Sequence, residues 1–252
     1  MPHPDIALPR LIAHRGLSAH APENTLSAVR AAHAAGISWV ELDVQLLGDG
    51  TPVIWHDASV RRCSDRRGRL ADLDLAAARR LDAGGWFGDA FRGERMATLE
   101  EMLALLEALD MGVNLELKVN RGRDARALVD AALPPVREAL PPSRRVLSSF
   151  NPTALAQART LAGPESLSLG VLFEGIGRDW RRQCEAVEAY SVHADWKRLK
   201  APRAREVTEA GYRLLCYTPN DPDAFAPRWA WGVDAVISDD PPRFAHWPRF
   251  AH

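Results

Sequence analysis

LIAHRGLSAHAPENTLSAVRAAHAAGISWVELDV, residues 11–44, decides how the rest of the chain is read. LIAH (11–14) is a short apolar run. Asn24 and Thr25 then offer a cap to LSAVRAAHAA, a segment of helical period that Gly36 ends. WVELDV (39–44) is a second apolar run, so the unit reads strand, helix, strand, the crossover that joins parallel neighbours. An open sheet built to bind a dinucleotide would carry G-x-G-x-x-G after its first strand. HRGLSAHAPEN (14–24) stands there instead, which favours a closed barrel.

The same alternation continues along the chain. GDG (48–50) and PVIWHD (52–57) form a tight turn and a returning strand, because so short a link joins only antiparallel neighbours. Later strands fall at VNLEL (113–117), RVLSSF (145–150), SLGVLF (168–173), YSVHA (190–194), YRLLCY (212–217) and DAVIS (234–238). Helices fall at 98–109, opened by a Thr98/Glu101 capping box, and at 124–133, 151–161, 178–187, 202–211 and near 221–230. With the hairpin return set aside, eight strands alternate with helices, the signature of a (β/α)8 TIM barrel spanning residues 1–252 as one domain. Ala58–Ala97 is too long for a βα loop and is expected to form a small insertion subdomain after the second strand and its hairpin, over the C-terminal face where barrel active sites lie.

Composition narrows the function. A 46% hydrophobic and 26% charged chain is globular rather than disordered, and a net charge of −1 gives no reason to expect nucleic acid or an anionic membrane as partner. Cys63, Cys184 and Cys216 are scattered and odd in number, against a disulfide framework or a thiolate zinc site. The chain shows no apolar run long enough for a membrane span and no signal peptide, so a cytoplasmic protein is expected. Lysine is scarce: only Lys118, Lys197 and Lys200 accompany the arginines.

Four clusters at strand ends carry the chemistry. His14-Arg15-Gly16 ends the first strand. Glu41 and Asp43, two apart on the second, point to one face and into the barrel mouth. His56-Asp57 ends the hairpin, and Asn114, Glu116 and Lys118 share one face of the next strand. Three converging carboxylates repel one another unless a cation joins them, and oxygen donors without cysteine suit Mg2+ or Ca2+, with Mn2+ also admissible. Arg15 and Lys118 supply positive charge for phosphate oxygens. Two histidines supply an acid and a base, one for the attacking hydroxyl and one for the leaving alkoxide. The set describes a metal-dependent phosphodiesterase.

These motifs together, AHRG (13–16), PENT (22–25), ELDVQL (41–46), PVIWHD (52–57), the DAGGWFG to TLEEML stretch (82–103), NLELK (114–118), SSF (148–150), YTPN (217–220) and VDAVISDDP (233–241), resemble in order and spacing the glycerophosphodiester phosphodiesterase family of bacterial cytosolic type. The resemblance implies a barrel enzyme that hydrolyses glycerophosphodiesters to glycerol 3-phosphate and an alcohol with one divalent cation. It implies His14 and His56 as the acid/base pair, Arg15 and Lys118 as phosphate ligands, Glu41, Asp43 and Glu116 as metal ligands, and Phe150 as an aromatic at the mouth. Cys216 and Pro219 depart from the family pattern at a late strand end, where the alcohol or glycerol would be contacted. The expected partner is a small glycerophosphodiester, with oligomeric state left open. Two alternatives stand beside this: a phospholipase-type activity on lipid or lysolipid, and a non-catalytic phosphoester-binding barrel, which would not need paired histidines.

Other residues carry plainer expectations. Glu23, Asn24 and Thr25 cap the first helix and brace the mouth, and Trp86 and Phe87 either wall the leaving group or anchor the insertion. His193 and Trp196 pack, Arg61, Arg62, Arg66, Arg67 and Arg69 form a solvated basic face, and His3, His20, His33, His246 and His252 have no assigned role.

Overall fold

A computed structural model describes residues 3–245, so His246 and His252 lie outside the described residues. Strands β1 (Leu11–His14), β2 (Trp39–Leu46), β3 (Pro52–Ile54), β4 (Gly112–Leu117), β5 (Arg145–Ser149), β6 (Ser168–Phe173), β7 (Ser191–Asp195), β8 (Arg213–Tyr217) and β9 (Ala235–Ser238) form one sheet. All but β3 run parallel, and β1 pairs with both β2 and β9, closing an eight-stranded barrel. β3 is the antiparallel return on β2, with Val44 opposite Ile54. It is shorter than its sequence run, since it stops at Ile54 and leaves Trp55, His56 and Asp57 as a turn at the mouth.

The α-helices among the described residues are α1 (Leu26–Ala34), α2 (Leu75–Ala78), α3 (Leu99–Ala108), α4 (Ala125–Ala139), α5 (Pro152–Leu161), α6 (Trp180–Ala186), α7 (Ala201–Glu209), α8 (Pro222–Phe225) and α9 (Pro242–Ala245). Thr25 caps α1 by accepting from the Ala28 amide, and Thr98 and Glu101 make the expected reciprocal capping box on α3. α4 runs six residues past the expected end, through Pro134 and Pro135. Those prolines remove two hydrogen bonds and free the carbonyls of Asp130, an exposed residue, and Ala131, a half-buried one. Leu128, Val129, Ala132, Leu133 and Val136 keep one face of α4 buried, and Arg145 donates to the carbonyls of Val136, Arg137 and Leu140 at its end. Near 221–230, where one helix is expected, α8 gives way to a 3-10 turn over Ala226–Trp231.

Strand alternation sorts the residues. On β2, Val40, Leu42 and Val44 belong to the large apolar layer shared with the helices, while Trp39, Glu41, Asp43 and Gln45 point inward. Ile6, Ile12, Trp39, Val146, Leu215, Ala235 and Ile237 fill the interior as a second cluster. Gly112 is part of that packing, because a Cβ there would lie 2.2 Å from Trp39 Cε2. Within 58–97, Val60, Cys63, Leu70, Ala78, Leu81, Ala83 and Met96 gather with Leu47, Val53 and Trp55 into an apolar cluster of their own. His193 and Trp196 pack as expected: His193 is fully buried on β7, and Trp196 stacks edge-on against Phe225.

Candidate active site

Each candidate side chain is placed by a strand end. β1 delivers His14 to the mouth, after which Arg15 and Gly16 both take positive φ, 55° and 78°. A Cβ at Gly16 would approach Ala28 backbone atoms to 2.7 and 2.9 Å, so the turn tolerates only glycine. The left-handed Arg15 is held by its amide donating to Glu41 Oε2 at 3.2 Å and its carbonyl accepting from the Asn24 amide at 2.9 Å. His56 is placed by Gln45, whose Nε2 donates to the carbonyls of Trp55 and Asp57 at 2.7 and 3.2 Å.

In the β2–β4 register, Glu41 lies opposite Asn114 and Asp43 opposite Glu116. One carboxylate oxygen from each of Glu41, Asp43 and Glu116 falls within 4.8 Å of the others, and all three residues are buried. Lys118, one residue past β4, reaches Glu116 Oε1 at 2.8 Å and Asp43 Oδ1 at 3.5 Å, while Arg15 Nε lies 3.4 Å from Asp43 Oδ2. A compact ammonium can approach both carboxylates from that half-buried position. Asn24 grips Asp43 from behind, donating to Oδ2 at 2.8 Å and accepting from the Asp43 amide at 3.2 Å.

The charge in this cluster is unevenly shared. Burial works to raise Asp43, but Arg15, Lys118, His56 and the Asn24 bond outweigh it and hold the carboxyl at about 2. Burial, then Asp43, pushes Glu116 up to about 7, and burial with Asp43 and Glu116 pushes Glu41 well above the usual range. Two cationic side chains therefore offset only part of the burial and mutual repulsion of the three carboxylates. Three convergent oxygen donors whose ionisation needs further positive charge fit a hard divalent cation.

Both imidazoles are oriented from outside the cleft. His14 Nδ1 lies 2.6 Å from Asp239 Oδ1, whose carboxylate also accepts from Ser18 Oγ at 3.0 Å and Asn220 Nδ2 at 2.6 Å. His56 Nδ1 lies 2.7 Å from Asp57 Oδ1. His14 Nε2 is 3.8 Å from Glu41 Oε2. Burial lowers His56, with Arg15 and Lys118 acting the same way and Asp43 and Asp57 opposing.

A cleft of about 410 Å3 brings these groups together: His14, Arg15, Glu41, His56, Asn114, Glu116, Lys118 and Phe150 line it, with Asp43 beneath in the carboxylate cluster. Its far wall comes from the ends of β6, β7 and β8, including Asp195, Arg198 and Tyr217, the last stacking edge-on with Phe150 at 6.0 Å. Phe150 is 44% exposed, and the Lys118 ammonium lies 5.8 Å from its ring centre. Trp86 and Phe87 pair with each other in the 58–97 segment and do not line the cleft.

Sequence reasoning passed over several partners. Asp239 and Asn220 lie in SDDP and YTPN, but nothing local ties an acid 225 residues away to His14. Arg62, placed on a solvated basic face, in fact grips Asp57 and Glu23. Glu23 accepts from Arg15 Nη1 at 2.7 Å, the mouth-bracing contact that was expected of PENT. An acid directly after a strand-end β9 and an arginine five residues after His56-Asp57 were the available signals.

Among the described residues no helix is long and apolar enough to cross a membrane. A phosphodiesterase of Oleispira antarctica, solved in complex with the product sn-glycerol-3-phosphate, superposes with a TM-score of 0.89 at 36% identity, covering 94% of this chain and 95% of that one. A glycerophosphodiester phosphodiesterase structure from Thermotoga maritima gives 0.76 at 25% identity, covering 94% and 97%. In sequence, the glycerophosphodiester phosphodiesterase of Caldanaerobacter subterraneus subsp. tengcongensis is 33% identical over 232 residues, 92% of this chain and 94% of the relative. The model of the glycerophosphoryl diester phosphodiesterase family matches residues 14–243, and with the closed barrel and the strand-end cleft in place the chain belongs to that family of enzymes.

Proposed function

We propose that the enzyme hydrolyses glycerophosphodiesters to glycerol 3-phosphate and an alcohol, with one divalent cation held by Glu41, Asp43 and Glu116 and with His14 and His56 as the acid/base pair. One observation carries this: two imidazoles, each with Nδ1 on a carboxylate, flank a three-carboxylate cluster in one cleft. A carboxylate that accepts at Nδ1 fixes the tautomer, so each neutral ring keeps its Nε2 lone pair for the substrate.

Arg15 and Lys118 bind the phosphoryl oxygens, and Phe150 walls one substituent of the diester. One imidazole takes the proton from the attacking hydroxyl as its oxygen bonds to phosphorus. The other, protonated, gives its proton to the alcohol oxygen as the old P–O bond breaks. When bound, Mg2+, Ca2+ or Mn2+ supplies positive charge that offsets the carboxylates and the developing charge on phosphorus. We read residues 1–252 as one catalytic domain with 58–97 as an insertion at its mouth. A cytoplasmic setting suits the three buried, unpaired thiols Cys63, Cys184 and Cys216.

The test is release of glycerol 3-phosphate from a panel of glycerophosphodiesters, with each cation and with chelator. Release that chelator abolishes is the expected result. No release from any member overturns the substrate class, and release that survives chelator overturns the metal dependence. Cyclic phosphate among the products would identify a substrate hydroxyl, rather than water, as the attacking group.

A further inference from the structure

We infer that Arg62 is a positioning residue that sets His56 and Arg15 relative to each other across the mouth. Its guanidinium spends both edges on two carboxylates. Nε donates to Asp57 Oδ2 at 2.7 Å and Nη2 to Asp57 Oδ1 at 3.0 Å. Nη1 donates to Glu23 Oε2 at 2.5 Å and Nη2 to Glu23 Oε1 at 2.8 Å. Each carboxylate hands the constraint on: Asp57 Oδ1 meets His56 Nδ1 at 2.7 Å, and Glu23 Oε1 accepts from Arg15 Nη1 at 2.7 Å. The chain of contacts runs from one imidazole to one phosphate-binding guanidinium through a single side chain.

The backbone of Arg62 is itself anchored. Val60 and Cys63, on either side, are buried in the apolar cluster of the 58–97 segment, and Ser64 Oγ donates to the Val60 carbonyl at 2.6 Å. The segment therefore reaches the reacting groups through Arg62. Arg62 is nearly half exposed, at 45% of its side chain, so its ion pairs add little stability. A planar fork that pairs two carboxylates at once fixes geometry instead, and lysine, a point charge, cannot reproduce it.

The inference rests on the roles proposed for His56 and Arg15, and the experiment separates the two. Steady-state kinetics on a glycerophosphodiester are measured for Arg62→Ala and Arg62→Lys in the native, Asp57→Asn and Glu23→Gln backgrounds, with His56→Ala as control. Loss of an orienting partner is expected to lower kcat by about 10- to 100-fold in Arg62→Ala and to raise KM, with circular dichroism unchanged. In Asp57→Asn the further kcat loss should vanish, and in Glu23→Gln the further rise in KM should vanish. Arg62→Lys should recover kcat or KM but not both, and it carries the test if the alanine variant does not fold. Losses that add fully in both backgrounds, or Arg62→Ala turnover within about twofold of native, overturn the inference. If His56→Ala keeps native turnover, the role proposed for His56 fails; if only that control loses turnover, Arg62 alone is dismissed.

Discussion

Asp239→Asn probes how His14 is held. The native carboxylate meets three donors: His14 Nδ1 and Ser18 Oγ on Oδ1, and Asn220 Nδ2 on Oδ2. Burial works to raise its pKa, but the His14 bond and charge lead the groups that hold it at about 2, so it is ionised at neutral pH. An amide keeps one acceptor oxygen and places an NH2 on the other side. With the oxygen toward His14, the NH2 faces the Asn220 NH2; flipped, it faces His14 and forces the other tautomer, with the proton on Nε2. Either way a charged acceptor is lost, and a hydrogen bond to a charged group contributes about 1.5–3 kcal/mol. Realised wholly in the transition state, that range lowers kcat roughly 10- to 150-fold. Glycerol 3-phosphate release at saturating substrate and cation measures kcat, and calorimetric cation titration should be unchanged because Asp239 is not among the clustered carboxylates. A variant that folds, binds cation normally and turns over within about threefold of native would refute this account of His14.

Three further outcomes follow from the geometry. Glu116→Gln removes one of three clustered carboxylates, so cation affinity measured by calorimetry should fall by at least about tenfold; an unchanged isotherm removes Glu116 from the ligand set. His193 is wholly buried and burial lowers its pKa from 6.5 to about 3, so folding keeps it neutral; the stability this supplies is whole above pH 6.5 and is lost on acidification from 6.5 towards 3. Between pH 8 and 5.5 the native protein should lose about 1.4 kcal/mol more than His193→Gln in urea unfolding, and equal losses in the two would contradict the assignment. Gly112→Ala sets a Cβ 2.2 Å from Trp39 Cε2, and overpacking of that kind costs about 1–3 kcal/mol, read as a lower melting temperature; an unchanged one would mean that Trp39 moves freely.

What was legible in the sequence and what was not divide along a physical line. Strand alternation is local, so Glu41 and Asp43 on β2, and Asn114 and Glu116 on β4 with Lys118 just past its end, could be assigned to one face from the sequence, and the register that sets Asp43 opposite Glu116 then brings the carboxylates together. Helix starts were legible for the same reason, as Thr98 and Glu101 illustrate, whereas the end of α4 was not: its continuation past Pro134 depends on burial against the barrel and on Arg145, from the next strand. The side chains that orient the site were hidden more deeply, because an acceptor such as Asp239 and a fork such as Arg62 act only through closure of the barrel and folding of the 58–97 segment. Their placement has a consequence for the site as a whole. His14 is held by Asp239 beyond the last strand, and His56 by Asp57, which Arg62 grips from within the 58–97 segment. The two imidazoles thus depend on separate supports, so Asp239→Asn and Asp57→Asn should impair different proton transfers. Their combined loss in kcat should differ from the sum of the single losses only as far as both transfers share one rate-limiting step.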